Sequence, residues 1–397
     1  MGWSTINLMD ARKQFILDVK SGDLSMSEVC RRHNISRKTG YKWLKRHHSG
    51  GGQALQDQSR KPFISPHQTS LEVERAALAV RRLHPVWGGR KIRKVLSNEG
   101  MAKSDLPAPS TITNILRRHG LLGAGTREGS PEIQRFERPD PNDLWQMDFK
   151  GHFATSRSGR CYPLTILDDC SRYSLMLEAC RGETRVIVQP LLERAFGRYG
   201  LPRQILCDHG NPWGKGLRPD GQPYGTPGLE LWLLRLGVEL IHGRVRHPQT
   251  QGKEERFHRT LKAEVISQKT QWLDHQSCQQ GFDDWREIYN HKRPHESLKD
   301  EVPASRYRLS ARSMPGEIPS AASSEVDGDE IRITRSKGEM TFKNRTYYIG
   351  QGFVGEPVFL RQESDGSYGV YYCWKRIGRI DPNQDQKAKG RYISIRI

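Results

Sequence analysis

The sequence contains no apolar run of the roughly 18 residues that a membrane-spanning helix needs, so a membrane protein of that kind is not expected. Met1 to Asn7 offers no basic segment leading into an apolar stretch, so no secretory signal is read there and a cytoplasmic location is expected. Cysteine is sparse and scattered. The seven cysteines, at positions 30, 161, 170, 180, 207, 278 and 373, form no C-x-x-C pair, which argues against a disulfide framework and against a cysteine-rich zinc site. Acidic charge is also in deficit. With 64 Lys/Arg against 45 Asp/Glu the formal charge is +19, and residues 1–140 alone hold 25 basic against 13 acidic residues, a net of +12. An excess placed in the first third suits a segment that grips phosphates and releases counterions, although a generically basic protein would show the same balance.

At 397 residues the chain predicts several domains. Leu8 to His48 reads as three short helices. Ser25-Met26-Ser27-Glu28 forms a capping box at the start of the second. The turn His33-Asn34-Ile35 then leads to Ser36 and a basic third helix. Trp43 and Leu44 should pack inward, leaving Arg37, Lys38, Lys42 and Arg46 facing out. A short helix, a tight turn and a basic helix make a helix-turn-helix, with a small bundle bearing a solvated charged face as the alternative. Gly40 inside the third helix costs some helix propensity. His48 to Gly52 reads as a flexible joint. A second helical module spans 66–122. Its first helix carries Leu71, Val73, Leu78, Val80 and Leu83, and its last is capped by Ser110 and ends in the basic pair Arg117 and Arg118. Residues 123–142 read as a linker.

From residue 143 strands alternate with helices, which predicts an α/β core over 143–311. A second linker, 312–327, precedes short alternating strands over 328–397, expected to form a small β-barrel separable from the core. Its basic positions Arg332, Arg335, Lys337, Lys343 and Arg345 suit DNA phosphates or a neighbouring subunit, while simple structural closure of the chain is the blander reading.

Three stretches concentrate acids in a way that suggests chemistry. In Trp145-Gln146-Met147-Asp148-Phe149 the alternation sets Asp148 on the face opposite Met147 and Phe149, where a carboxylate is costly unless it binds metal or pairs. Ile205-Leu206-Cys207-Asp208 is a strand ending in an acid. His247 to Lys262 is a loop entering a helix with Glu255, Arg259 and Lys262 on one side. Hard divalent cations take oxygen ligands, and carboxylates from separate elements can hold two of them close together. Any one of these acids could equally be a helix cap or half of a surface pair.

Taken jointly, these pieces resemble the retroviral-integrase-type catalytic domain of bacterial insertion-sequence transposases, which has an RNase-H-like fold. The resemblance runs over residues 143 to about 310. It rests on Leu144 to Gly151, Leu167-Asp168-Asp169-Cys170-Ser171-Arg172-Tyr173, Asp208 to Trp213, His247 to Lys262 and Tyr289-Asn290…Arg293-Pro294-His295. It implies Asp148, Asp208 and Glu255 as catalytic ligands of two Mg2+ or Mn2+ ions per site. It further implies phosphodiester hydrolysis and strand transfer on DNA, with terminal inverted repeats and target DNA as partners. The protein would act as a homo-oligomer, at least a dimer on DNA, in the bacterial cytoplasm and nucleoid. DNA contacts are expected from Arg37, Lys38, Lys42, Arg46, Arg117, Arg118, Arg259 and Lys262. The chain departs from the pattern at His209, where Asn is common, and at Glu254, where an aliphatic residue is usual. Helix geometry lets only one of Glu254 and Glu255 face Asp148, and the spacing from Gly252 selects Glu255. Asp168 and Asp169 read as supports of the fold. A nuclease without joining activity and a DNA-binding regulator with an inactive core are the rival readings.

Overall fold

The computed structural model describes residues 7–57, 68–122, 137–208, 228–242, 252–382 and 393–394. The chain divides into two compact units, Met1–Gln68 and Thr69–Ile397.

In the first unit, helices α1 (Leu8–Ser21), α2 (Met26–Arg32) and α3 (Arg37–Gly50) enclose Phe15, Ile16, Val29, Cys30 and Trp43. The capping box forms as expected: Ser25 Oγ accepts from Glu28 N–H while Glu28 accepts from Ser25 N–H. Gly40 proves to be a packing requirement. A Cβ there would lie 2.6 Å from Cys30 Sγ and 3.0 Å from Phe15 Cζ, so only glycine lets α3 approach its neighbours this closely. The expected joint at residues 48–52 is instead the end of α3 and the start of a 3-10 turn, Gly51–Leu55. Leu55 is buried in the core, and its carbonyl accepts from Arg12.

The second unit begins with α4 (Leu71–Leu83), α5 (Gly89–Asn98) and α6 (Pro109–Arg118). Val73, Ala77 and Val80 are buried, but Leu71 and Leu83 are exposed, so the inward stripe of α4 is narrower than its apolar residues suggest. Pro109 occupies the first turn of α6 and Ala108 its N-cap; Ser110 does not cap it. Gly89 lets α5 start against α6, since a Cβ would fall 2.2 Å from Pro109 O.

The core sheet follows. Its strands are β1 (Leu144–Phe149), β2 (Phe153–Ala154), β3 (Arg160–Asp168), β4 (Ser174–Cys180), β5 (Gln204–Cys207) and β6 (Glu239–His242). The order is β2-β3-β1-β5-β6, with β4 on β3. β3 is antiparallel to β1, β2 and β4, whereas β5 runs parallel to β1 and β6. Helices α7 (Arg185–Tyr199) and α8 (Gly228–Arg235) cover one face over Trp145, Met147 and Ile205. The other face, with Leu167 and Leu177, is packed by α9 (Gly252–Glu264) and α10 (His275–His291). The alternation of β1 thus divides its residues between two helical layers. The Tyr289-Asn290…His295 segment ties α10 to the sheet and to α9. Asn290 bonds both the N–H and the carbonyl of Ser174 on β4, and Arg293 pairs with Glu264 on α9 at 2.9 Å. Glu296 and Glu301 pair with Arg90 and Lys94 of α5, so the second helical module is docked on the core.

The C-terminal segment is not a barrel. Strands β7 (Glu330–Ile333), β8 (Glu339–Phe342), β9 (Arg345–Tyr348), β10 (Pro357–Gln362), β11 (Tyr368–Tyr372), β12 (Lys375–Ile380) and β13 (Ile393–Ser394) form two open sheets, β12-β11-β10-β7 and β13-β9-β8. Their core takes in Leu231 and Leu234 of α8 beside Val358, Leu360 and Tyr372. Arg235 pairs with Glu356, and Trp374 Nε1 donates to Leu234 O at 3.1 Å. A helix shared by two cores closes what a barrel would otherwise have to close for itself, so the module is not separable. Of its basic residues, Arg332 binds Glu330 and Lys343 donates to the Tyr368 hydroxyl. A chain truncated near Ser324 should melt at a lower temperature and expose apolar surface, because two buried leucines lose cover worth at most about 1.5–3 kcal/mol each. Thermal denaturation and dye binding check this; unchanged melting would show the module to be a passenger.

Candidate active site

The parallel pairing of β1 with β5 sets Gln146 beside Leu206. Two residues further along each strand stand Asp148 and Asp208, so the register brings the two carboxylates to one end of the sheet. Asp148 Oδ1 accepts from Phe149 N–H at 2.8 Å, and His242 Nδ1 lies 2.8 Å from Asp208 O. Burial, followed by the charges of Asp208 and Glu183, pushes the Asp148 carboxyl up to about 7, against the smaller opposing effects of the Phe149 N–H and Lys150. Two hard oxygen donors brought to one end of the sheet form a site that a divalent cation would stabilise, and the donor set fits magnesium.

Helix α9 supplies the next carboxylate, and it is not the one expected to face Asp148. The helix buries Glu254, Phe257, His258 and Leu261, an i, i+3, i+4, i+7 stripe. Glu254 is 1% exposed, and Asp148 contributes to its raised proton affinity. Glu255, one step of about 100° round the helix, is exposed, on the same flank as Arg259 and Lys262. The expectation that Glu255 rather than Glu254 faces Asp148 is therefore corrected: the apolar periodicity of the helix decides its rotation, and Glu254 falls on the apolar stripe. Among the described residues no group of three or more His, Cys, Asp or Glu side chains stands close enough to hold a metal ion. His209 and residues 211–227 and 247–251 lie outside the described residues.

Glu254 belongs to a buried polar network that the sequence did not reveal. Thr165 Oγ1 stands 2.9 Å from Asp148 O, 3.1 Å from Glu254 Oε2 and 2.8 Å from His258 Nε2. One hydroxyl has a single proton and two lone pairs, so all three contacts are satisfied only if two neighbours donate to it. A protonated Glu254 and the Nε2–H tautomer of His258 do so. Both fit their surroundings: burial, with Asp148 nearby, holds Glu254 well above the usual carboxylate range, and burial with Lys150 holds His258 down to about 3. His258 is therefore neutral near pH 7, and its 3.8 Å and 3.6 Å approaches to Asp148 and Glu254 are contacts between a neutral ring and carboxyl groups, not ion pairs. The only sequence signal was Glu254 standing where an aliphatic residue is usual.

Asp168 and Asp169 support the fold. Asp168 accepts from Asn142 N–H, Ser171 N–H and Ser171 Oγ, a turn-closing set. Asp169 accepts from Arg138 N–H, Gln146 Nε2 and Lys253 Nζ, the last at 2.5 Å, tying the first turn of α9 to the β3–β4 connection. Among the expected DNA contacts, Arg37, Lys38, Lys42 and Arg117 are exposed and Arg46 is half-buried, with Lys42 and Arg46 each 5.0 Å from the Trp43 ring. Arg118 is engaged by Glu74 at 2.7 Å, which also meets His119.

Replacing Thr165 by valine keeps the shape but leaves Glu254 and His258 short of a partner, and should cost about 1–3 kcal/mol of stability. Chemical denaturation checks this, with Thr165→Ser expected to recover most of the loss. Asp148 gives a pH signature. Its folded-state value lies above 3.8, so the stability due to its protonated form is complete below that pH and is lost as pH rises through about 7. In chelator, melting temperature should therefore fall between about pH 4 and about pH 7, and Asp148→Asn should flatten that fall. An identical pH dependence in the variant would remove Asp148 as its source.

Family models match along most of the chain. Residues 138–248 match an integrase core domain and residues 236–303 a second model of that description. Residues 11–63 match a helix-turn-helix domain, 39–116 a homeodomain-like domain, and 329–388 the C-terminal domain of IS481 family transposases. The insertion element IS476 uncharacterized 39.2 kDa protein of Xanthomonas euvesicatoria is 28% identical over 44% of this chain, a match spanning 46% of that protein. The insertion element IS407 uncharacterized 31.7 kDa protein of Burkholderia multivorans is 25% identical over 57% of the chain and 78% of its own length. The HTLV-2 integrase catalytic core domain, solved in complex with magnesium, aligns at 12% identity over 43% of this chain and 99% of that one, with a TM-score of 0.32, too slight a likeness to support any inference. With helix-turn-helix models matching one end, integrase core models the middle and a transposase C-terminal domain model the other, these matches together support a bacterial insertion-sequence transposase with an integrase-type core.

Proposed function

We propose that the protein binds the terminal inverted repeats of a mobile element, hydrolyses a phosphodiester at their ends and joins the freed 3′-hydroxyl to target DNA. The observation that carries this reading is the Asp148–Asp208 pair at the end of neighbouring parallel strands in a basic chain. Asp148 and Asp208 hold the divalent cations, with Glu255 as the third ligand. When bound, two such ions supply Lewis acidity toward the attacking and leaving oxygens. The chain's own residues bind and orient. Lys253 fixes the first turn of α9 through Asp169, which sets where Glu255 stands. Arg259 and Lys262, exposed one and two turns beyond Glu255, hold substrate phosphates. The exposed basic residues of α3 face the repeat, and two ends brought together require at least a dimer on DNA.

Glu255 is preferred as ligand because it is accessible, whereas Glu254 is enclosed and its Oε2 is already shared with Thr165. A second reading, with Glu254 as the ligand, is favoured by its electrostatic coupling to Asp148 and by Oε1, which is buried without a hydrogen-bond partner.

Asp148→Asn, Asp208→Asn and Glu255→Gln should each reduce cleavage and joining of terminal-repeat oligonucleotides by on the order of a hundredfold or more, with end-binding largely retained. Glu254→Gln should be mild. If Glu254→Gln is inactive while Glu255→Gln joins DNA, the second reading replaces the first. If both aspartate variants remain active, the proposal as a whole fails.

A further inference from the structure

We propose that a cleft at the far end of the core sheet, between the starts of β5 and β6 and the β11–β12 turn, binds one unpaired nucleotide of a DNA strand. The cleft, of about 530 Å³, is lined by Arg138, Arg203 and Arg312, by Asp143 and Glu239, and by Trp374. This volume falls within the range of sites that bind small molecular groups.

Its charge balance favours an anion. Three arginines face two carboxylates, of which Asp143 meets Arg203 at 3.3 Å and Glu239 meets Lys375, from outside the lining, at 3.3 Å while accepting from Gln204, so the lining stays net positive. Arg312 spends its donors on neutral main-chain carbonyls, those of Pro202, Leu236 and Gly237. Burial and the charge of Arg203 both act against its protonated state. A phosphate placed between these guanidiniums would relieve that repulsion through charge-assisted bonds, for which the planar guanidinium is well shaped.

Its apolar wall favours a base. Trp374 is 46% exposed, yet its indole is fixed by the bond from Nε1 to Leu234 O. A ring held rigid with a free face is a platform on which any base can stack without sequence preference. Duplex DNA hides its base faces inside the stack, so the fitting ligand is an unpaired nucleotide.

The cleft is not the candidate active site. Asp143 directly precedes β1 and Asp148 nearly ends it, roughly 17 Å away along the strand. A strand held here would be flanking DNA and not the scissile phosphate. The inference rests on the DNA-binding reading given above.

The test compares the full chain binding a blunt duplex and the same duplex carrying a short oligothymidine overhang, followed by fluorescence anisotropy. The parent should prefer the overhang. Trp374→Ala should lose about tenfold on the overhang and nothing on the blunt duplex, while Trp374→Phe keeps the preference. Arg203→Ala should weaken overhang binding and flatten its salt dependence. Unchanged melting temperatures separate these losses from misfolding. If Trp374→Ala binds the overhang as tightly as the parent, the cleft is not a nucleotide site. If the parent binds neither duplex, the DNA-binding reading itself fails, and this proposal falls with it.

Discussion

The structure of the core depends on holding two like charges side by side. Asp148 and Asp208 belong to neighbouring strands whose parallel register leaves no freedom to separate them without breaking the sheet. Burial first, and then the charge of Asp208, raises the proton affinity of the Asp148 carboxyl, which eases the repulsion. The rest of the core resists that repulsion. On one face Trp145 and Met147 lock β1 into the α7–α8 layer. On the other, Thr165 ties the Asp148 carbonyl to α9. An isolated pair of carboxylates would move apart or recruit water; here the backbone that carries them is fixed from both sides.

Helix α9 is fastened at its first turn by two contacts of different kinds. Lys253 is drawn to the buried Asp169, and Glu254 is enclosed among Thr165 and His258. The first is a charged bond at the rim of the core, and the desolvation of Asp169 is offset by the further donors Arg138 N–H and Gln146 Nε2. The second is a neutral network, and its members avoid the desolvation cost of charge by holding or shedding protons. Between them they fix the rotation of the helix and so decide that Glu255 reaches the surface. The next turns are secured differently, by Phe257 against Tyr289 and Trp285 and by Glu264 against Arg293. The site proposed above draws on three separate elements, and such a site gains accuracy when each is pinned close to its functional atom.

The sequence made Asp148 and Asp208 legible because strand alternation and a strand-terminal acid are local patterns. It did not make the rotation of α9 legible. Adjacent glutamates differ by one step of the helix, and spacing from Gly252 favoured Glu255 while the positions of Phe257 and Leu261 turned Glu254 inward. Gly40 carried the opposite lesson: a residue poor for a helix is required by Cys30 and Phe15, neighbours brought close only by tertiary packing. The expected barrel was misread for a related reason. Strand alternation in residues 328–397 shows that one face is buried, and it cannot show that Leu231 and Leu234, about a hundred residues earlier, supply part of the cover.

The basic excess of the chain likewise divides into roles that composition cannot separate. Arg118, expected to contact DNA, meets Glu74, while Arg90 and Lys94 meet Glu296 and Glu301, so these cations brace the second helical module internally and against the core. Arg37, Lys38 and Lys42 remain on the exposed face of α3. Surface ion pairs of the bracing kind are individually weak and screened by salt. Nucleic-acid phosphates compete for the same guanidinium and ammonium groups. The residues that dock the second module on the core are therefore also those whose partners a bound duplex could replace, whereas the Asn290, Arg293 and Glu264 staples lie within the core and are insulated from that exchange.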